Sequence, residues 1–187
     1  MQHVRFWGDS KPGAYKDLTQ KRIDAVRKAY GPNASKISRT GNILTLSGGG
    51  SDGAYGAGLL VGWTEHGDRP QFDFVTGIST GAMMAPLAFL GSKYDAQLKE
   101  SYTTLSTEDV ATPQVFAAVI GAADSLADTK PLQGLVAKYM TAEMMKEIAA
   151  EHHKGRVLMI GTTNLDAQRS VIWDIGAISA SGHPGSL

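Results

Sequence analysis

Ser79 is the residue whose surroundings most clearly point to chemistry. It lies in Gly77-Ile78-Ser79-Thr80-Gly81, a G-x-S-x-G pattern that follows the apolar run 72–76. A sharp turn from a strand into a helix lifts such a serine hydroxyl off the sheet edge, and the flanking glycines leave room for the turn. The unpaired N–H groups of the helix favour negative charge developing there. We therefore predict that Ser79 is a catalytic nucleophile, flanked by Gly77 and Gly81.

A second glycine motif, Gly48-Gly49-Gly50-Ser51-Asp52-Gly53, precedes another predicted helix. Consecutive glycines allow backbone N–H groups to converge on one oxyanion, and losing one such donor typically costs about 3–4 kcal/mol of transition-state stabilisation. We predict that Gly48, Gly49 and Gly50 form an oxyanion hole and that Gly53 flanks the motif. The alternative is a tight strand-to-helix turn with no catalytic role.

The same glycines also satisfy G-x-G-x-x-G, which raises a dinucleotide-binding interpretation. That fingerprint places an acidic residue at the carboxyl end of the second strand, facing the ribose. Asp73 has the right distance along the chain but stands near the start of its strand. Dinucleotide binding therefore remains a minor alternative.

Three segments, residues 44–58, 73–82 and 157–174, together resemble the patatin-like phospholipase family. The resemblance runs from about residue 42 to the end. It implies a lipid acyl hydrolase with a Ser–Asp dyad, in which Ser79 is the nucleophile and Gly48, Gly49 and Gly50 form the oxyanion loop. It implies a lipid or ester substrate, possible contact with a membrane surface, no cofactor and no metal.

The chain departs from the family pattern in two places. The family usually has Arg or Lys just before the last glycine of the loop, where Asp52 stands here. The family's catalytic aspartate lies in a D-G-G or D-G-A motif, and no such motif follows Ser79. We therefore expect the dyad aspartate downstream of this chain. The alternative is a non-catalytic lipid-binding or truncated, inactive form.

A Ser–His–Asp triad is a further alternative. Ser79, then Asp166 or Asp174, then His183 follow the chain order of α/β-hydrolases. Against it, His183 lies in a Gly-His-Pro turn close to the end of the chain.

The apolar and glycine patterns predict the elements that would position these residues. The strand candidates are residues 43–46, 72–76, 156–163 and 171–173. The helix candidates are residues 17–30, 54–65, 81–90, 95–105, 115–120, 132–139 and 142–151. Pro86 predicts a kink or an early end in the helix after Ser79. Strands alternating with helices predict a three-layer α/β fold with a mainly parallel sheet and helices on both faces.

Length and composition limit the domain organisation and the functions that this chain can have. The 187 residues suggest a single domain, which we divide into an N-terminal extension, 1–40, and a partial hydrolase domain, 41–187. Lys plus Arg and Asp plus Glu both number 18, which is unlike the basic footprint of a nucleic-acid binder. The absence of cysteine excludes disulfides and thiol catalysis. With no signal peptide or spanning segment in the sequence, we expect a soluble protein, cytoplasmic or exported after processing. The oligomeric state is not predicted.

Overall fold

The computed structural model describes residues 4–10, 16–36, 41–103 and 130–183. Its strands are β1 (Arg5–Trp7), β2 (Ile43–Leu46), β3 (Phe74–Ile78), β4 (Val157–Asn164) and β5 (Arg169–Asp174). Its helices are α1 (Lys16–Tyr30), α2 (Gly53–His66), α3 (Thr80–Leu90), α4 (Asp95–Thr103), α5 (Lys130–Tyr139), α6 (Ala142–His153) and α7 (Ile175–Ala180). Short 3-10 turns cover Gly31–Lys36, Gly50–Asp52 and Ser92–Tyr94.

The five strands form one sheet in the order β1-β5-β4-β3-β2. β2, β3 and β4 are parallel, β5 is antiparallel to β4, and β1 is antiparallel to β5. Four of the five strands therefore run in the same direction. The predicted α/β class and mainly parallel sheet are confirmed. Since the parallel strands end together, Leu46, Ile78 and Asn164 define one carboxyl edge of the sheet.

The core lies on the face of the sheet that carries Leu44, Val75 and Leu158, three residues in register on adjacent strands. These pack in one cluster with Leu60 of α2, Phe89 of α3 and other apolar side chains of α4 and α6. On the opposite face, Ile43 and Ile78 stay 69% and 58% exposed.

Most predicted elements agree with the structure to within a few residues, and β3 shows the largest shift. It spans 74–78, not 72–76, because Gly77 continues the strand. A Cβ at Gly77 would overlap the carbonyl of Gly81, so this glycine permits a close backbone approach within the strand. Pro86 does not end α3 early, since the helix continues to Leu90. The predicted helix at 115–120 lies outside the described residues.

Described residues among the first 40 contact both the sheet and the residues that lead into β4. β1 pairs with β5, and the side chain of Arg22 in α1 donates a hydrogen bond to the carbonyl of Gly155 (2.8 Å). Sequence reasoning missed β1, because three residues are too few to show a strand period. The domain division at residue 40 stays a prediction.

Candidate active site

Ser79 stands between β3 and α3 in a strained backbone conformation. Its φ is 55° and its ψ is −125°, values that a residue with a Cβ rarely adopts. Such strain is of order 1–3 kcal/mol and persists only where the surrounding structure enforces it. Ser79 is also the N-cap of α3, and its carbonyl accepts a hydrogen bond from the N–H of Ala82 (2.8 Å). The half-buried serine therefore has the backbone of a nucleophile elbow.

The glycines around this elbow are required because a larger residue would overlap neighbouring backbone. A Cβ at Gly81 would overlap the carbonyl of Leu46, the last residue of β2. Gly77 meets the backbone of Gly81 in the same way. These contacts bring the turn against the end of β2, where the glycine loop begins.

The glycine loop lies directly beside Ser79. A Cβ at Gly48 would lie 3.0 Å from the Cβ of Ser79 and 3.5 Å from its Oγ. Gly49 and Gly50 have φ values of 153° and 61°, in the range that favours glycine. Gly50 begins a short 3-10 turn, so its N–H has no partner within that turn. The loop therefore approaches the serine with backbone alone.

Gly53 connects this loop to α2. It is buried, and a Cβ there would lie 2.5 Å from Oγ1 of Thr80 and 2.7 Å from Cε1 of Tyr102. Thr80, which follows Ser79, and Gly53, which follows the loop, are therefore in contact. Sequence reasoning did not single out Tyr102, because an aromatic residue near the end of a helix is normally read as core packing.

Asp52 places an exposed carboxylate on the loop. Its N–H donates to the carbonyl of Gly49 (3.1 Å), and its Oδ2 would lie 3.9 Å from a Cβ at Gly49. It is the N-cap of α2 but makes no side-chain capping hydrogen bond. Within the described residues it has no ion-pair partner. One negative charge therefore stands next to the predicted oxyanion hole.

Comparison with known protein families shows to which family this chain belongs. The profile of the patatin-like phospholipase family matches residues 44–178. The chain belongs to the patatin-like phospholipase family. Neither the curated proteins nor the solved structures gave a match. The patatin-like domain indicates lipid acyl hydrolase activity in general, and the glycine loop, the elbow and the β4–β5 hairpin all lie within it.

The acid and histidine candidates for a dyad or triad do not lie together at one site. Asp174 is buried at the amino-terminal end of β4, where its Oδ1 accepts from the N–H of Ala177 (2.8 Å) and lies 3.9 Å from Nδ1 of His152. Asp166 is exposed in the β4–β5 turn, and His183 is exposed beyond α7. Within the described part of the chain, Ser79 Oγ has no hydrogen bond to any of them. The structure brings the predicted nucleophile and glycines together but not the triad.

Asp73, the acid of the dinucleotide interpretation, is occupied elsewhere. Its Oδ2 accepts a hydrogen bond from the N–H of Asn42 (2.9 Å) at the amino end of the sheet. The glycine loop lies at the opposite, carboxyl end. Asp73 therefore ties β2 to β3 rather than facing a nucleotide over the loop.

The two cavities described in this fold lie away from Ser79. Two cavities of about 240 and 520 Å³ lie at the amino end of the sheet, and neither is lined by the glycine loop. Large exposed apolar side chains at the carboxyl end are those of Tyr55, Ile78 and Leu165. Among the described residues, no group of three His, Asp or Glu is arranged to hold a metal ion. None of the described helices is both long and apolar enough to cross a bilayer.

Proposed function

We propose that this protein hydrolyses lipid or other fatty-acid esters, with Ser79 as the nucleophile and the backbone of Gly48, Gly49 and Gly50 as the oxyanion hole. The observation that carries the proposal is the strained elbow of Ser79 with Gly48 packed against its Cβ. Glycine would adopt this backbone conformation with less strain than serine. A serine at this position therefore has no evident structural purpose.

The proposed reaction has two steps. Ser79 Oγ attacks the ester carbonyl carbon, and its proton passes to a base as the new C–O bond forms. The N–H groups of Gly49 and Gly50 stabilise the resulting oxyanion. The C–O bond to the alcohol then breaks, leaving an acyl-enzyme. Water attacks the acyl carbon, and the products are the free fatty acid and regenerated Ser79.

The base is proposed to be an aspartate downstream of this chain. Serine without an adjacent base is a weak nucleophile at neutral pH. No D-G-G or D-G-A motif follows Ser79 in the sequence and no carboxylate of the described residues bonds to Ser79 Oγ, and both observations support this assignment. The same observations also favour the second candidate function, a lipid-binding form without catalysis.

Labelling with a neutral fluorophosphonate, read by intact mass and peptide mapping, tests the proposal on the full-length protein, which would include the proposed aspartate. We expect one adduct, on Ser79, which Ser79→Ala abolishes. Ser51→Ala is the matched control, because Ser51 is an exposed serine of the same loop without the strained φ. Labelling that survives Ser79→Ala, or that is absent from the full-length protein, would contradict the nucleophile assignment. Binding to phospholipid vesicles without labelling would support the lipid-binding form.

A further inference from the structure

One side chain outside the two glycine motifs contacts both of them. Tyr102, in the last turn of α4, donates its phenol O–H to the backbone carbonyl of Thr80 (2.7 Å). The same phenol oxygen lies 2.9 Å from Oγ1 of Thr80. Thr80 follows the nucleophile directly and is only 7% exposed. Tyr102 therefore holds the first residue of α3 through both its main chain and its side chain.

The ring of Tyr102 also fills the space in front of Gly53. Because a Cβ at Gly53 would lie 2.7 Å from the ring and 2.5 Å from Oγ1 of Thr80, only glycine lets the three residues meet. Gly53 is the first residue of α2, directly after the glycine loop. A single side chain thus joins the helix of the nucleophile to the helix of the oxyanion loop.

The other contacts that hold the elbow are made by backbone. They are the N–H of Ala82 on the carbonyl of Ser79 and the close approach of Gly81 to Leu46. The first contact lies within the turn and the second ties it to β2, so neither joins the turn to α2. Farther along α3, Met84 contacts Gly56 of α2. At the elbow itself the Tyr102 contact adds a polar link, since α4 packs against both α2 and α3.

The Tyr102 phenol stays protonated, so it can always donate its hydrogen bond to Thr80. Burial raises the pKa of Tyr102, and this effect exceeds the opposite effect of the hydrogen bond with Thr80. The O–H is therefore retained over the whole neutral range.

We propose that Tyr102 is a positioning residue, which holds Thr80 against Gly53 and thereby fixes Ser79 relative to the glycine loop. The catalytic part of this inference rests on the proposed role of Ser79. The mechanical part, that the phenol restrains the elbow, does not.

Tyr102→Phe tests both parts, because it keeps the ring and removes only the O–H. The matched control is Tyr94→Phe, which removes a tyrosine hydroxyl bonded to Glu147 (3.1 Å) in contacts away from the elbow. The first readout is amide hydrogen exchange at Ala82, whose N–H bonds to Ser79. Exchange at Leu158, fully buried in β4, corrects for any change in global stability.

We expect Tyr102→Phe to speed exchange at Ala82 by about three- to tenfold relative to Leu158, the range of one lost hydrogen bond. Tyr94→Phe should leave that ratio unchanged. An unchanged ratio in Tyr102→Phe, or equal changes in both variants, would overturn the proposal.

The second readout is the rate constant for fluorophosphonate labelling of Ser79, corrected for the folded fraction. We expect a three- to tenfold decrease in Tyr102→Phe and none in Tyr94→Phe. Faster exchange with an unchanged labelling rate would overturn the catalytic part. A full-length protein that does not label refutes the proposed nucleophile, while the exchange ratio still decides whether Tyr102 restrains the elbow.

Discussion

The two ends of the sheet differ in the residue types and the contacts that form them. At the carboxyl end, glycines and a strained serine meet through backbone contacts, and Asp52 is the only charge on the loop. At the amino end, the side chains of Arg69 and Arg156 are almost fully buried and paired with Asp95 and Glu151. The protein therefore separates the end that carries buried ion pairs from the end that we propose reacts.

The amino end uses its arginines to satisfy carbonyl groups. Arg156 donates to the carbonyls of Phe72 (2.8 and 2.6 Å) and Phe89 (2.5 Å), and its guanidinium lies 4.2 Å from the ring centroid of Phe89. Arg69 donates to the carbonyl of Ala88 (3.4 Å). Ala88 and Phe89 are in the last turn of α3, where carbonyls lack helical partners and positive charge is favourable. The helix that begins at the reactive serine is thus stabilised at its far end.

The largest expected effect is on stability. Arg156→Met should lower the free energy of unfolding by about 3–5 kcal/mol, because it leaves two buried carbonyls without a partner and Glu151 with the exposed Lys154 alone. Urea unfolding followed by circular dichroism measures the loss. Lys154→Met is the matched control, because it removes the exposed partner of the same Glu151 and should cost less than about 1 kcal/mol. Equal losses would mean that burial does not distinguish the two cations.

Next in size is an effect on reactivity at the other end. Gly48→Ala places a methyl group 3.0 Å from Ser79 Cβ and 3.5 Å from Oγ, so the serine must shift. We expect the fluorophosphonate labelling rate to fall about tenfold to hundredfold, the effect of misplacing a reacting group by up to 1 Å. Gly58→Ala is the control, since the space beside Gly58 in α2 is open. It should stabilise the helix by about 0.5–1 kcal/mol and leave labelling unchanged. Labelling of Gly48→Ala at the native rate would place the loop away from the reacting oxygen.

The sequence predicted the carboxyl end better than the amino end, and the reason is physical. Gly77, Gly81 and Gly48 stand where the backbone or Ser79 approaches too closely for any other residue, so residue type and spacing reveal them directly. Arg156 acts on carbonyls 84 and 67 positions away along the chain, and its residue type does not record which groups it contacts. Tyr102 was missed for the same reason, because a tyrosine near the end of a helix does not reveal its hydrogen-bond partner.

The acid partner of Ser79 is the part of the candidate site that the sequence did not predict. The elbow carries a steric signature in the sequence, but a carboxylate has none until its position in the fold is known. Asp174 fits the chain order of a triad, yet β5 carries it to the amino end beside His152. Order along the chain therefore said little about proximity here.

A smaller effect should follow from the charge of Asp52. One exposed charge beside the loop, largely screened by water, changes the energy of an anionic transition state by roughly 0.4–1 kcal/mol. Asp52→Asn should therefore speed labelling of Ser79 about two- to fivefold, and more at low ionic strength. Glu65→Gln, at the far end of α2, should have no such effect. A change in Asp52→Asn that is the same at low and high salt would show that charge is not the cause.

The smallest effect concerns pH and belongs to the amino end. Burial lowers the pKa of His152 below its usual 6.5, and the charges of His153 and Lys21 act in the same direction, while Asp174 opposes them. A histidine with a lowered folded pKa contributes full stability above pH 6.5 and loses it as the pH falls toward the folded pKa, since the unfolded state then binds the proton first.

His152→Phe should therefore flatten the decline in the free energy of unfolding between pH 6.5 and 5, measured by urea unfolding at each pH. His66→Gln is the control, because His66 is exposed at the end of α2. Exchange at Ala82, corrected by Leu158, should stay constant over the same range, because the Tyr102, Thr80 and Ala82 contacts at the elbow are all between uncharged groups. If that ratio rises in parallel with the loss of stability, the two ends of the sheet are coupled and the separation between them fails.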